Sequence, residues 1–216
     1  METQMTQALT ATNHTAPSAA NGTVPPKRQA NAAVRTREHL TETEVERLMK
    51  AASGDDGRRY GHRDATMILI AFRHALRVSE LVNLRWSDVD FKAARLNVKR
   101  LKGSLSGVHP LEGDELRALR KLRAQDANAE FAFTTERGGP MSAAGFRKML
   151  TRLADDAGMS ALKVHPHALR HATGYALANK GLDTRTLQSY MGHAQITNTV
   201  RYTALDAGRF KGIWSK

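Results

Sequence analysis

From Thr41 onward the apolar residues recur at helical spacing, and the main interruption lies between Val89 and Leu111, where short β-compatible stretches replace it. A chain patterned this way folds as amphipathic helices around one core with a small antiparallel sheet set among them, an α+β domain that is mostly α. Thr41 with Glu44 forms a capping-box start for a helix over 42–52, with Val45, Leu48 and Met49 on one face. A loop at 54–57 precedes a central helix over 58–74, which holds the apolar run 67–72. Ser79 is the expected cap of a short helix carrying Leu81, Val82 and Leu84.

Segments 95–99 and 106–110 read as a hairpin turning near Gly103 and Ser104. A helix over 112–127 follows from the spacing of Leu116, Leu119 and Leu122, and 131–133 is expected to add a short strand beside the hairpin. After a turn at 137–140, Ser142 opens a helix to about Ala157, and Pro166 sits at the start of another that ends before Gly181. Asp183 caps the next helix, which runs to Tyr190; Gly192 breaks the chain, and a last turn carries Tyr202.

The charge balance narrows the partners. Lys and Arg number 33 against 21 Asp and Glu, a formal net charge of +12, so an acidic polymer is expected, and nucleic acid first. With no cysteine in the chain, disulfides, thiolate nucleophiles and thiolate-held zinc are excluded. The longest apolar run is too short to span a bilayer of roughly 30 Å, and Glu2 with no basic and apolar regions behind it does not read as a secretory signal. No membrane partner and a cytoplasmic location are expected. Residues 1–37, rich in Thr, Ala, Asn, Gln and Pro and basic near their end, read as a disordered polar tail, leaving 38–216 as the folded domain.

The C-terminal third contains His167 and Arg170, then Gly192 and His193, then Tyr202 nine residues beyond that histidine. Upstream, Arg77 stands where one helix gives way to the next, and Lys102 occupies the hairpin turn. A phosphodiester substrate gives each type a purpose. Guanidinium forks match the charge that spreads over non-bridging oxygens. A phenol with an ordinary pKa of about 10 needs nearby cations or a base to act as a nucleophile. A departing deoxyribose oxygen needs a proton donor, a contribution on the order of 100-fold to 10,000-fold. Attack by tyrosine exchanges one phosphodiester for another, so no cofactor is required, and no P-loop glycine pattern is present.

Taken in order, Leu76-Arg77-Val78-Ser79-Glu80-Leu81, His167-Ala168-Leu169-Arg170-His171, Gly192-His193 and Tyr202 resemble the tyrosine recombinase, or phage integrase, family over about residues 38 to 214. Within it, Arg100-Leu101-Lys102, His109-Pro110-Leu111, His165-Pro166-His167 and the ending Ala207-Gly208-Arg209-Phe210 are most similar to the fimbrial phase-variation invertases. The resemblance implies a tyrosine recombinase catalytic domain that cuts and rejoins DNA through a 3′-phosphotyrosine, with inversion or integration as the outcome. It implies Tyr202 as nucleophile, Arg77 and Arg170 as phosphate clamp, Lys102 as general acid with Lys99 the alternative, His167 as acid-base partner, and His193 bonding the phosphate or orienting its neighbours. It further implies double-stranded DNA recombination sites as substrate, a homo-tetramer on DNA, accessory DNA-bending proteins and a place at the bacterial nucleoid.

The separate helical DNA-binding domain that usually precedes the catalytic one in this family has no counterpart in this sequence before Leu40, a lack the fimbrial invertases share. His165, His171 and His62 are read as capping or surface histidines with no role in catalysis, and Trp86 and Trp214 as packing residues. Arg73, Arg85, Arg147 and Arg152 are candidate phosphate contacts. A topoisomerase-like nicking and closing enzyme would use the same residues, and a DNA-binding protein without chemistry would keep only the fold.

Overall fold

The structure, a computed structural model, describes residues 39–54, 58–100 and 103–203. The tail at 1–37, Lys102 and the C-terminal segment 210–214 therefore lie outside the described residues.

The helices are α1 (Glu42–Ser53), α2 (Gly61–Arg73), α3 (Val78–Val82), α4 (Gly113–Gln125), α5 (Ala143–Asp156), α6 (Pro166–Asn179), α7 (Thr184–Met191) and α8 (Thr197–Thr203). A sheet of β1 (Val89–Asp90), β2 (Arg95–Val98) and β3 (Gly107–Pro110) is antiparallel throughout and ordered β1-β2-β3. Among the described residues no helix is long and apolar enough to cross a membrane.

Local chemistry sets most boundaries. Thr41 and Glu44 bond each other's backbone amides at the start of α1, the expected capping box. Ser142 caps α5, Asp183 caps α7, and Pro166 occupies the first turn of α6 behind the His165 cap. Buried Leu48, Met67, Ile68, Ile70, Leu81, Leu96, Leu119, Phe133, Phe146, Leu150 and Leu169 bring α1–α6 and the sheet into one core. α2 lies at its centre, packed on α1, α4 and α6.

Three expectations are corrected. The cap of α3 is Arg77, not Ser79: the Glu80 carboxylate accepts the Arg77 amide at 2.9 Å and draws the helix start two residues earlier. The third strand is Val89–Asp90, not 131–133. Asp90 Oδ1 accepts the amides of Lys92 and Ala93 and closes a tight turn, so β1 takes one edge of β2 while β3 takes the other. Residues 131–132 pair instead with 84–85, through the Arg85–Phe131 bridge and the Ala132 amide on the Leu84 carbonyl. Finally, Tyr202 belongs to a short helix, α8, rather than a turn.

The segment between α2 and α3 is the least ordinary backbone. Ala75, fully buried, adopts a left-handed φ of 50°, a conformation that costs a non-glycine residue on the order of 1 kcal/mol. Its compensation is Arg100, whose side chain is 1% exposed and which donates to the carbonyls of His74, Ala75 and Tyr190 and to Glu80 Oε2 at 2.8–3.1 Å. One guanidinium thus joins the end of α2, the start of α3, the β2–β3 hairpin and the end of α7. Removing one partner of such a buried pair leaves the other charge and several carbonyls unmatched. Arg100→Met is expected to destabilise the domain by about 3–5 kcal/mol, measured by denaturant unfolding.

Candidate active site

Arg77, Arg170, His193 and Tyr202 come together where α3, α6, α7 and α8 meet. Arg170 is 2% exposed and projects from α6 to the same backbone that Arg100 holds. Its Nη1 donates to the Ala75 carbonyl and its Nη2 to the Met191 carbonyl at 2.7 Å. A guanidinium carries five N–H donors, so these two bonds fix its plane and leave others for a ligand. Burial, then the charges of Arg100 and Arg77, bring its pKa down to about 10, and it remains a cation at neutral pH.

Arg77 extends from the N-terminus of α3 and donates to Glu80 Oε1 at 2.8 Å, with its side chain 30% exposed. Burial pushes the Glu80 carboxyl up, but the Arg77 amide and the Arg100 and Arg77 guanidiniums outweigh that and hold it below the ordinary carboxylate range. Two guanidiniums thus bond a single buried carboxylate, whose charge also reaches Arg170. The remaining positive charge is a standing attraction for an anion.

His193 follows Gly192, the left-handed C-cap of α7 with φ 64°. Glycine is needed here for space as well: a Cβ would come within 2.5 Å of the Leu105 carbonyl and 2.9 Å of Arg100 Nε. The hairpin loop is docked on this point, with the Leu105 amide on the Gly192 carbonyl at 3.3 Å. Thr199 Oγ1 lies 2.9 Å from His193 Nδ1, which fixes the ring and turns its Nε2 edge to another partner. Burial, then Arg170 and Arg77, lower the His193 pKa to about 4, so the ring is neutral at pH 7.

Tyr202 is 6% exposed and belongs to a small apolar cluster with Ala75, Ala178, Leu187 and Met191, apart from the main core. Its ring fits the space left by Gly174 on α6, where a Cβ would stand 2.6–2.8 Å from three ring carbons. The ring lies nearly parallel to His193 at 6.3 Å and edge-on to Tyr175 at 5.2 Å. Its hydroxyl is hydrogen-bonded with His171 Nδ1 at 2.7 Å. Burial raises the Tyr202 pKa, and the charges of Arg170 and Arg201 offset part of that rise.

His171 is the residue the sequence reading passed over. It lies one turn beyond His167 on α6, with the two rings edge-on at 4.8 Å, and burial followed by the charges of His167 and Arg201 lowers its pKa to about 4. The sequence signal was its place four residues after His167, one turn along the same helix face. His167 itself is exposed on the first turn of α6, its pKa lowered by local desolvation and then by Arg170. His165 is a cap, accepting the Ala168 amide at 3.2 Å, and Trp86 is buried.

Behind the site, His74 Nδ1 meets His109 Nδ1 at 3.2 Å, and His109 stacks on Tyr190 at 4.1 Å. His74 Nε2 is 2.9 Å from Glu115 Oε1, out of line for a hydrogen bond. Of the lysine alternatives, Lys99 is described and forms an ion pair with Asp88 at 2.5 Å. Among the candidate phosphate arginines, Arg73 pairs with Asp114, Arg85 with Glu130 and Arg152 with Asp64, while Arg147 is exposed.

A strongly basic chain thus sets two buried arginines, Arg100 and Arg170, beside a phenol hydrogen-bonded with an imidazole. Residues 38–209 match the Phage integrase family, and the chain belongs to it: it is a tyrosine-type site-specific DNA recombinase. It is 42% identical over 189 residues to the type 1 fimbriae regulatory protein FimE of Escherichia coli K12, covering 83% of this chain and 92% of that one. Identity to FimB of the same strain is 41%, with 83% and 90% covered. Among solved structures, XerA recombinase superposes with a TM-score of 0.68 at 28% identity, over 82% of this chain and 64% of that chain. The Tn1549 transposon integrase in complex with transposon right end DNA gives 0.68 at 25%, over 81% and 64%. This chain therefore spans about two-thirds of the length of those solved recombinases.

Two outcomes are expected from this geometry. His109, with a pKa of about 3, and His193, at about 4, stay neutral in the fold but would protonate near 6.5 in the unfolded chain. Each folded value is depressed, so the unfolded state binds more protons, and the unfolding free energy falls as pH drops from about 6.5 toward 4. Denaturant melts at pH 7 and 5 measure this, and His109→Phe should flatten the slope. Gly174→Ala should push the Tyr202 ring aside and slow DNA cleavage on the order of 100-fold while duplex binding persists, read by single-turnover assay.

Proposed function

We propose that this recombinase inverts a DNA segment by the chemistry of Tyr202. The observation that carries the reading is the buried Tyr202 phenol, hydrogen-bonded with His171, parallel to the His193 ring and within the field of Arg170. Tyr202 attacks the scissile phosphorus, forming a 3′-phosphotyrosine and releasing the 5′ oxygen. Arg77 and Arg170 neutralise the non-bridging oxygens, and His193 bonds one of them through Nε2. Lys102 gives the leaving oxygen its proton, and His167, at the exposed rim, assists as acid-base partner. The new ester retains the energy of the bond it replaces, so rejoining needs no nucleotide.

Residues 38–216 would act as the catalytic unit, consistent with the extent of the family match. Similarity to FimE and FimB favours inversion over integration, and the DNA-bound transposon integrase supports duplex DNA as the partner. Exchange of two duplexes needs several subunits, and we take the active form as a homo-tetramer on paired sites, assisted by DNA-bending proteins. The bacterial nucleoid is where such a substrate lies.

The test is a nicked suicide duplex carrying a site recovered by the protein from a random pool. Wild type should give a covalent protein–DNA band on a denaturing gel and Tyr202→Phe none. Equal bands from both would remove the tyrosine mechanism.

A further inference from the structure

We propose that His171 is the catalytic base that takes the proton from Tyr202 as the phenol attacks DNA. The inference rests on the reading of Tyr202 as nucleophile, but the role of His171 is carried by a separate observation. Its Nδ1 lies 2.7 Å from the Tyr202 hydroxyl in a part-buried hydrogen bond between α6 and α8, and the tautomer with its proton on Nε2 makes that nitrogen the acceptor. His167 instead lies exposed, with its ring against the face of His171. Accepting at Nδ1 places the histidine's own proton on Nε2, so the ring is a neutral base with its lone pair already aimed at the proton it removes.

The groups that set its basicity are His165, His167 and Arg170 on its own helix, and Arg201 with the Tyr202 phenol from α8. Desolvation and these cations keep the ring neutral in the free protein. A phosphate bound between Arg77 and Arg170 cancels much of the positive field and makes proton acceptance easier when substrate is present. The step balances: the phenol O–H bond breaks as its oxygen bonds phosphorus, the proton passes to Nδ1, and the P–O5′ bond breaks with its oxygen protonated by the general acid. In rejoining, the 5′-hydroxyl attacks the phosphotyrosine, and the proton on His171 returns to the released phenolate.

The experiment uses the full chain and the same nicked duplex, with wild type and Tyr202→Phe in parallel. Failure of wild type to give a covalent band would strike the nucleophile reading rather than the role of His171. Given that band, His171→Leu should lower the single-turnover cleavage rate by about 100-fold to 10,000-fold with duplex binding within twofold. His171→Asn, which offers an oxygen near the Nδ1 position but cannot take a proton, should remain as slow as the leucine variant. Recovery of wild-type rate in His171→Asn, or no loss in His171→Leu, would overturn the proposal. Should either variant melt early, the wild-type pH–rate profile decides: an acid limb that survives His167→Asn supports His171, and a limb abolished by it overturns the assignment.

Discussion

The carbonyl of Ala75 is the point on which the site depends. It is turned inward by a left-handed residue, and two buried guanidiniums, Arg100 from the hairpin and Arg170 from α6, donate to it. Arg100 also bonds Glu80 and the Tyr190 carbonyl, and Arg170 also bonds the Met191 carbonyl, so the same two side chains tie this turn to α3 and α7. The unfavourable backbone of one residue is thereby held by bonds from two distant parts of the chain, the hairpin and α6. Arg77 begins its helix two residues further on, so the same turn that anchors Arg170 aims Arg77 into the same space.

This arrangement explains how a domain tolerates so much buried positive charge. Arg100 and Arg170 satisfy backbone carbonyls that no helix or strand could pair, and Glu80 balances part of the charge. The balance is left incomplete. A phosphate would supply the missing negative charge, which makes the empty protein electrostatically poised for its ligand rather than neutral without it. Burial, with the same field, keeps His193 and His171 neutral, so the site holds hydrogen-bonding imidazoles instead of further cations.

What could be read from the sequence follows interaction range. The caps at Thr41, Ser142, His165 and Asp183 act within a few residues, and so did the reading of them. Gly192 was legible as a break, but its second function, admitting the Leu105 carbonyl and Arg100, involves a loop nearly ninety residues away. Segment 131–133 has strand-like residues, yet whether it joins the sheet is decided by which edges are already taken. Order and spacing pointed to Arg77, Arg170, His193 and Tyr202, whereas Arg100 and His171 owe their importance to partners that only folding brings near.

Tyr202 shows why burial and reactivity are compatible here. A phenol in an apolar cluster is a poorer acid than one in water, and burial indeed raises its pKa. A free phenolate waiting in the absence of DNA would waste that protection and invite misplaced attack. Held neutral, bonded to His171 and seated over Gly174, the hydroxyl is fixed in direction before substrate arrives, which lowers the entropic part of the barrier. In the proposed reaction deprotonation would coincide with attack, since an oxygen that becomes an ester loses its affinity for a proton in the same step. In the proposed reaction the arginines would act on the phosphate and the imidazole on the phenol, and Arg170, whose charge reaches both His171 and Tyr202, would couple the two.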